Sequence, residues 1–252
     1  MGERLRTCRY ISDSHPGRIH ICSRASASPG HWSPGDDFTD SHFRTGDPVG
    51  TEARVTQIDT RLAWLDHVAD TEGWLSLEEA KLLHSLASGV RDGCIVEVGA
   101  FRGRSTIALS AGAGEGVPVF SIDPHEEMWV DGRLAYSGPR DREAFFEAMI
   151  RSGAWKNVNL LNTRSETIAP GWDTPVALLW IDGDHSEEGV RRDWDAWQSH
   201  LIPGSIVAFD DAHDPNIGPF HLIADLIASG DAEHLKNVGK VRSVTYNAPR
   251  QA

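Results

Sequence analysis

Two short stretches put acids where an apolar run ends: "LLWIDGDHSEEGV", with Asp182, Asp184 and His185, and "GSIVAFDDAH", with Asp210, Asp211 and His213. A charge taken into a core costs several kcal/mol unless something compensates it. If the two apolar runs are neighbouring parallel strands, Asp182, Asp210 and Asp211 arrive at one point. Carboxylate oxygens gathered around open positions suit a hard divalent cation such as Mg²⁺, which leaves its other positions to water and substrate. A cation lowers the pKa of a hydroxyl bound to it, and a base beside it takes the proton. His185, with an ordinary pKa of about 6.5, suits that task near neutral pH. Asp184 lies just before the helix expected from Ser186 and reads as a helix-start acid. His213 is left without a role.

A second set lies upstream, in "CIVEVGAFRGRSTIALSAGA" and "VPVFSIDPH". Each begins with a short strand-like run, and the first continues through a glycine turn into a helical segment. Gly99 and Gly103 allow close approach of a ligand or close packing of the chain, and Ser105 and Thr106 open a helix whose free N–H groups can receive an anion. Neither GxGxxG nor GxxxxGK[ST] is present, which argues against NAD(P) and ATP. Asp123, at a strand end, could accept both hydrogen bonds of a ribose diol, or serve as a turn residue before Pro124. Glu97, inside "IVEV", is a buried acid that needs donors, from a ligand ammonium or from backbone N–H groups.

These residues must be positioned by alternating elements. Leu62, Leu65 and Val68 continue a helical spacing from Ile58, and "SLEEAKLLHSLAS" starts on a capping box of Ser76 and Glu79. Strand and helix then alternate through "NVNLLNT", "VALLWID", "SEEGVRRDWDAWQSHL" and "GSIVAFDD", the pattern of a parallel sheet. Trp194 and Trp197 follow helical spacing as packing residues. The tail "FHLIADLIASG", "HLKNVG", "VRSVTYN" reads as a helix and a closing antiparallel pair. Between Asp123 and the helix around "DREAFFEAMIRSGAW" lies a stretch read as a loop over the site, a lid insertion near residues 124–145 to which His125, Trp129 and Tyr136 could contribute. Residues 1–52, rich in Ser, Pro, Gly, His and Asp, are read as an extension with little fixed structure, preceding a single domain over residues 53–252. Its His15, His20, His31 and His42, with Cys8 and Cys22, match no common metal-ligand spacing.

Composition narrows the function. The chain has 252 residues, 40% of them hydrophobic, enough for one sizeable core. A net charge of −13 with no compensating basic stripe argues against nucleic acid and favours a neutral or cationic small molecule. The three cysteines, Cys8, Cys22 and Cys94, form no CxxC pair. With no apolar run of about 18 residues and no signal-like N-terminus, neither membrane nor export is expected, and the cytoplasm is the expected compartment.

Taken in order, "VEVGAFRGRST", "SIDPH", "LLWIDGDHSEEGV" and "GSIVAFDDAH" resemble the class I S-adenosylmethionine-dependent methyltransferases, in particular the metal-dependent O-methyltransferases of natural-product biosynthesis that act on macrolide and aminocoumarin sugars. The resemblance spans roughly residues 76–246. It implies an α/β, Rossmann-like fold with a seven-stranded, mostly parallel sheet, an antiparallel C-terminal strand and helices on both faces. It implies that Glu97, Gly99 and Gly103 line the methionine part of S-adenosylmethionine, that Asp123 holds the ribose and that Ser165 lies near the adenine; Ser105 and Asp182 are also expected among the cofactor-binding residues. Asp182, Asp210 and Asp211 match positions that bind magnesium in such enzymes, and His185 the place of a lysine or histidine base. Relatives of this kind often assemble through N-terminal helices and lids, so a homo-oligomer is expected. The reading is methyl transfer to a hydroxyl of a small-molecule acceptor. Its rivals are a metal-independent N-methyltransferase, a nicotinamide-dependent oxidoreductase, and a module that binds S-adenosylmethionine without turning it over.

Overall fold

The computed structural model describes residues 63–130 and 133–247. The expected extension over residues 1–52, and the start of the first expected helix at Ile58 and Leu62, lie outside the described residues.

Two helices come first, α1 (Ala63–Ala69) and α2 (Leu77–Ala87). The expected capping box forms: the Ser76 hydroxyl accepts the Glu79 N–H, and the Glu79 carboxylate accepts the Ser76 N–H at 2.7 Å. The alternation follows as β1 (Cys94–Val98), α3 (Arg104–Gly112) and β2 (Val119–Ile122). Next come β3 (Glu127–Val130), β4 (Arg133–Ser137), α4 (Pro139–Ser152), β5 (Val158–Leu161) and α5 (Ser165–Ile168). The chain ends through β6 (Val176–Ile181), α6 (Glu187–Trp197), β7 (Leu201–Phe209), α7 (Gly218–Ser229), β8 (Ala232–Val238) and β9 (Val241–Tyr246).

Seven strands form one sheet in the order β5-β2-β1-β6-β7-β9-β8, with β9 antiparallel to both its neighbours. The central strands are apolar along nearly their whole length because helices cover both faces. Side chains alternate across the sheet, and the core divides accordingly. Ile95, Leu178 and Trp180 pack with α2, α3 and α4 on one face. Val96, Val98, Leu179 and Ile181 pack with Val190, Trp194 and Trp197 of α6 and with Leu222 and Leu226 of α7 on the other.

The stretch after Asp123 is not the loop expected from its composition. Glu127–Val130 and Arg133–Ser137 pair as an antiparallel hairpin with Met128 opposite Tyr136 and Trp129 opposite Leu134. Cross-strand aromatic and aliphatic pairs stabilise such a ribbon even where no sheet edge is offered.

Strand order reverses between β1 and β6, the place where open α/β sheets form a cleft at their carboxyl ends. The two strands stay in contact one residue past their ends: the Asp182 N–H donates to the Val98 carbonyl at 2.8 Å. A Cβ on Gly99 would stand 2.0 Å from the Asp182 carbonyl oxygen, and Gly99 has φ +89°. Gly116 shares that backbone region, at φ +83°, but has open space around it. Gly99→Ala should therefore lower unfolding stability by more than about 3 kcal/mol, whereas Gly116→Ala should cost only the left-handed backbone penalty of about 1–2 kcal/mol. Urea titration of the two variants checks the difference.

Candidate active site at the carboxyl edge of the sheet

The ladder fixes which residues meet. Val98 pairs with Ile122 and Ile181, and Ile181 with Phe209, so the next residues, Gly99, Asp123, Asp182 and Asp210, emerge side by side. Their backbones continue the pairing, with Gly99 N donating to Ile122 O at 2.9 Å and Asp210 N to Ile181 O at 3.0 Å. They border a cavity of about 810 Å³ that reaches from Trp74 and Tyr136 at one side to Ser165 and Arg192 at the other.

Not every expected ligand-binding residue lines that cavity. Glu97 is fully buried and lies behind the wall. Within β1 it shares the face of Ile95, toward α3, and there Ser105 Oγ donates to it at 2.5 Å, Thr106 Oγ1 at 2.6 Å and Ser121 Oγ at 2.6 Å. Hydrogen bonds to a charged acceptor are worth about 1.5–3 kcal/mol each, so three of them offset much of the cost of burial. Burial still holds the Glu97 pKa above the ordinary carboxylate value, against the pull of those hydroxyls. Its donors are side chains, neither the ligand ammonium nor the backbone N–H groups expected. Gly103 is also set back from the cavity; a Cβ there would meet Met149 Cε at 2.7 Å and Phe145 Cδ2 at 3.1 Å, so this glycine serves packing. Gly99, Ser105, Asp123, Ser165 and Asp182 do line the cavity.

Asp123 is held by a clasp. Phe101 N donates to its Oδ2 at 2.8 Å and His125 N to its Oδ1 at 2.7 Å, while His125 Nε2 meets the Phe101 carbonyl at 2.7 Å. Phe101 and His125 both adopt positive φ, at 44° and 46°, to close it. His125 is therefore buried in the clasp, where it forms part of the cavity lining. Tyr136, on β4, also faces the cavity, and it packs at 5.5 Å from Phe101 and 6.2 Å from Trp74. The Trp129 side chain lies outside what the structure describes. Ser165 sits at the start of α5 with its hydroxyl on the Asp193 carboxylate, whose pKa is raised by burial.

The acidic centre is arranged differently from the expectation. His185 Nε2 lies 3.4 Å from Asp182 Oδ1, and His185 Nδ1 lies 3.1 Å from Asp211 Oδ2. Lys240, from the turn between β8 and β9, contacts Asp210 Oδ2 and lies 3.5 Å from Asp211 Oδ1. The atoms that converge are one each from Asp182, His185 and Asp210, all within 4.8 Å of one another. Asp211 does not join them. The chain enters the left-handed region at Asp211, φ 50°, and its carboxylate meets the imidazole at Nδ1. Two atoms of the converging residues, His185 Nε2 and Asp210 Oδ1, are buried without a hydrogen-bond partner. Burial raises the Asp182 pKa, and the neighbouring Asp210 charge adds to the effect. The neighbouring Asp182 carboxylate raises that of His185. Burial opposes the charge on Lys240, but the surrounding aspartates outweigh it and its pKa is raised. The N-cap of α6 is Ser186, whose hydroxyl accepts the Gly189 N–H at 3.0 Å, while Asp184, two residues earlier, accepts the Ser186 N–H on Oδ1 at 2.9 Å.

Three contributors had no role in the sequence reading: Phe101 in the clasp, Trp74 at the mouth and Lys240 in the acidic centre. Trp74 and Lys240 lie outside the motifs read for chemistry, and only the tertiary fold brings them in.

Residues 96–212, from β1 to just past Asp211, match a family model described as a methyltransferase domain. Solved structures share the fold. They include the cofactor-bound Rv0187 from MTB (19% identity, TM-score 0.56, covering 77% of this chain and 93% of that one). The O-methyltransferase TomG from Streptomyces achromogenes, involved in tomaymycin synthesis and solved with S-adenosylmethionine, has 18% identity and a TM-score of 0.56, over 77% of this chain and 92% of that one. The O-methyltransferase from Bacillus cereus, solved with S-adenosylhomocysteine, has 18% identity and a TM-score of 0.54, over 72% and 90%. Residues 96–212 thus match a methyltransferase domain, on a fold shared with methyltransferases solved with S-adenosylmethionine or S-adenosylhomocysteine. Among the described residues no helix is long and apolar enough to cross a membrane.

The hydroxyls around Glu97 separate a structural acid from a ligand-binding one. Glu97→Gln, which places an amide N–H₂ among donors, should lower unfolding stability by about 1–3 kcal/mol, and Ser121→Ala by a similar amount. Calorimetric melting of both variants without ligand checks this; an unchanged melt would mean that Glu97 waits for a ligand.

Proposed function

We propose that the protein transfers the methyl group of S-adenosylmethionine to a hydroxyl of a small-molecule acceptor, of the sugar or natural-product kind, with the help of a divalent cation. The observation that carries the reading is the acidic centre with its two unpartnered buried atoms, opening into the cavity that Asp123 and Gly99 border. TomG, an O-methyltransferase of natural-product synthesis with the same fold, supports the choice of acceptor.

The residues fit a cation. Asp182 and Asp210 would hold it, and Mg²⁺ suits their oxygens. When bound, it would lower the pKa of an acceptor hydroxyl and orient its oxygen. Asp123 holds the ribose diol with carboxylate oxygens fixed by two backbone N–H groups. Ser165 and Arg192 border the adenine end of the cavity, and Gly99 and Ser105 the methionine part. His185, oriented by Asp211 through Nδ1, takes the hydroxyl proton on Nε2. The acceptor oxygen then attacks the methyl carbon in line, and the carbon–sulfur bond breaks with its electron pair left on a neutral thioether. The hairpin β3–β4 carries Tyr136 over the cleft as a lid that excludes water from the sulfonium.

A second role for His185 is favoured by the convergence of its Nε2 with Asp182 and Asp210. There it is the third ligand, with Asp211 as the carboxylate behind a ligating imidazole. His185→Gln distinguishes the two: as base, it lowers kcat and leaves cation affinity intact; as ligand, it weakens cation affinity by at least about ten-fold.

Asp123→Ala should weaken S-adenosylmethionine binding by about 10- to 100-fold, the loss expected for hydrogen bonds to a charged acceptor. Isothermal titration checks it. EDTA should abolish methyl transfer to hydroxylated sugars and phenols, and Mg²⁺ should restore it. Transfer that survives chelation would turn the reading to carboxylates orienting an amine, and absence of cofactor binding would overturn it.

A further inference from the structure

The acidic centre contains a cation of its own. Lys240 Nζ touches Asp210 Oδ2 and lies 3.5 Å from Asp211 Oδ1, and its side chain borders the cavity. Its position is built, since the turn that carries it is anchored to the opposite end of the domain's sequence. The Lys240 N–H donates to Glu79 Oε1 at 2.8 Å, and the same buried carboxylate receives the Ser76 N–H at the start of α2. Gly239, at φ +54°, brings the turn so close that a Cβ there would stand 2.2 Å from Glu79 Oε1. Behind the turn, Ser243 Oγ donates to the Lys236 carbonyl at 2.9 Å and ties the two strands together. An ammonium so held is a fixed part of the site.

We infer that Lys240 is the resident counter-ion of the acidic centre. It keeps Asp210 and Asp211 in place without metal, and its charge weakens the hold of the centre on a divalent cation. The inference rests on the proposal that Asp182 and Asp210 hold a cation. Lys240 occupies one oxygen of Asp210 and leaves the other, Oδ1, buried without a partner, while Asp210 converges with Asp182 and His185. Lysine and metal thus share one carboxylate through different oxygens. A positive charge within a few ångström of a ligand opposes a second cation across a partly buried site, where water screens poorly. The centre would then take its metal weakly when empty and hold it once an acceptor oxygen completes the coordination.

The test is calorimetric titration of MnCl₂ alone into the full chain, comparing wild type with Lys240→Met and Lys240→Arg, with circular dichroism and thermal melting to check folding. Lys240→Met should bind Mn²⁺ at least about ten-fold more tightly than wild type, and Lys240→Arg, which keeps the charge, should remain near wild type. If wild type binds Mn²⁺ and folded Lys240→Met gains less than that, the counter-ion role is overturned while the cation reading stands. If neither binds Mn²⁺, both fall. Should Lys240→Met fail to fold, Lys240→Gln, whose amide can still donate to Asp210, is run with the same criterion.

Discussion

The site depends on one close approach. At the carboxyl edge of the sheet, β1 and β6 stay paired one residue beyond their ends, and Gly99 faces the Asp182 carbonyl with no room for a side chain. Because parallel pairing fixes register, that contact and its neighbours set Asp123, Asp182 and Asp210 in a row on adjacent strands. A one-residue slip would reverse the face of each side chain and scatter the acids. The cavity forms where strand order reverses, so the same register that builds the core also decides which acids open into it.

Placing so much negative charge at one edge requires a different compensation for each acid. Glu97, deepest, is met by hydroxyls from α3 and β2. Asp123 is met by two backbone N–H groups whose residues adopt strained positive φ to reach it. Asp210 is met by the ammonium of Lys240, and Asp211 by the imidazole of His185. These partners differ in what they leave free. Three hydroxyls hold Glu97 behind the cavity wall, whereas the clasp fixes Asp123 where it lines the cavity. The lysine satisfies only one oxygen of Asp210, and the other is left buried without a partner.

The sequence was legible where local chemistry and global fold agree. The Ser76–Glu79 capping box and the apolar runs of β1, β6 and β7 needed no tertiary information. The acids after Ile122, Ile181 and Phe209 stood out because each ends such a run. Glu97 was read as a ligand residue because its donors could not be foreseen; the alternation that points it at α3 became informative only once α3 was placed beside β1. The hairpin β3–β4 was missed because the aromatic and glycine content of the stretch was taken for a loop, although Asp131 and Gly132 between its strands are a residue pair that two-residue hairpins favour. Asp211 was grouped with Asp210 because adjacent residues look equivalent in a sequence, while the backbone turns between them.

Lys240 shows the limit most plainly. In sequence it is one basic residue among Lys236, Lys240 and Arg242 around a turn, indistinguishable from a solvated one. What gives it meaning is the partnership of Glu79, which fixes its backbone, with Asp210, which receives its ammonium. One carboxylate therefore ends the capping box of α2 and also positions a charge in the acidic centre. The helix start that was easiest to read in the sequence is thereby physically coupled to the residue that was hardest to read. Trp74 and Leu75, just before that helix start, line the same cavity. The N-terminal edge of α2 thus positions both an aromatic wall of the cleft and the counter-ion within it.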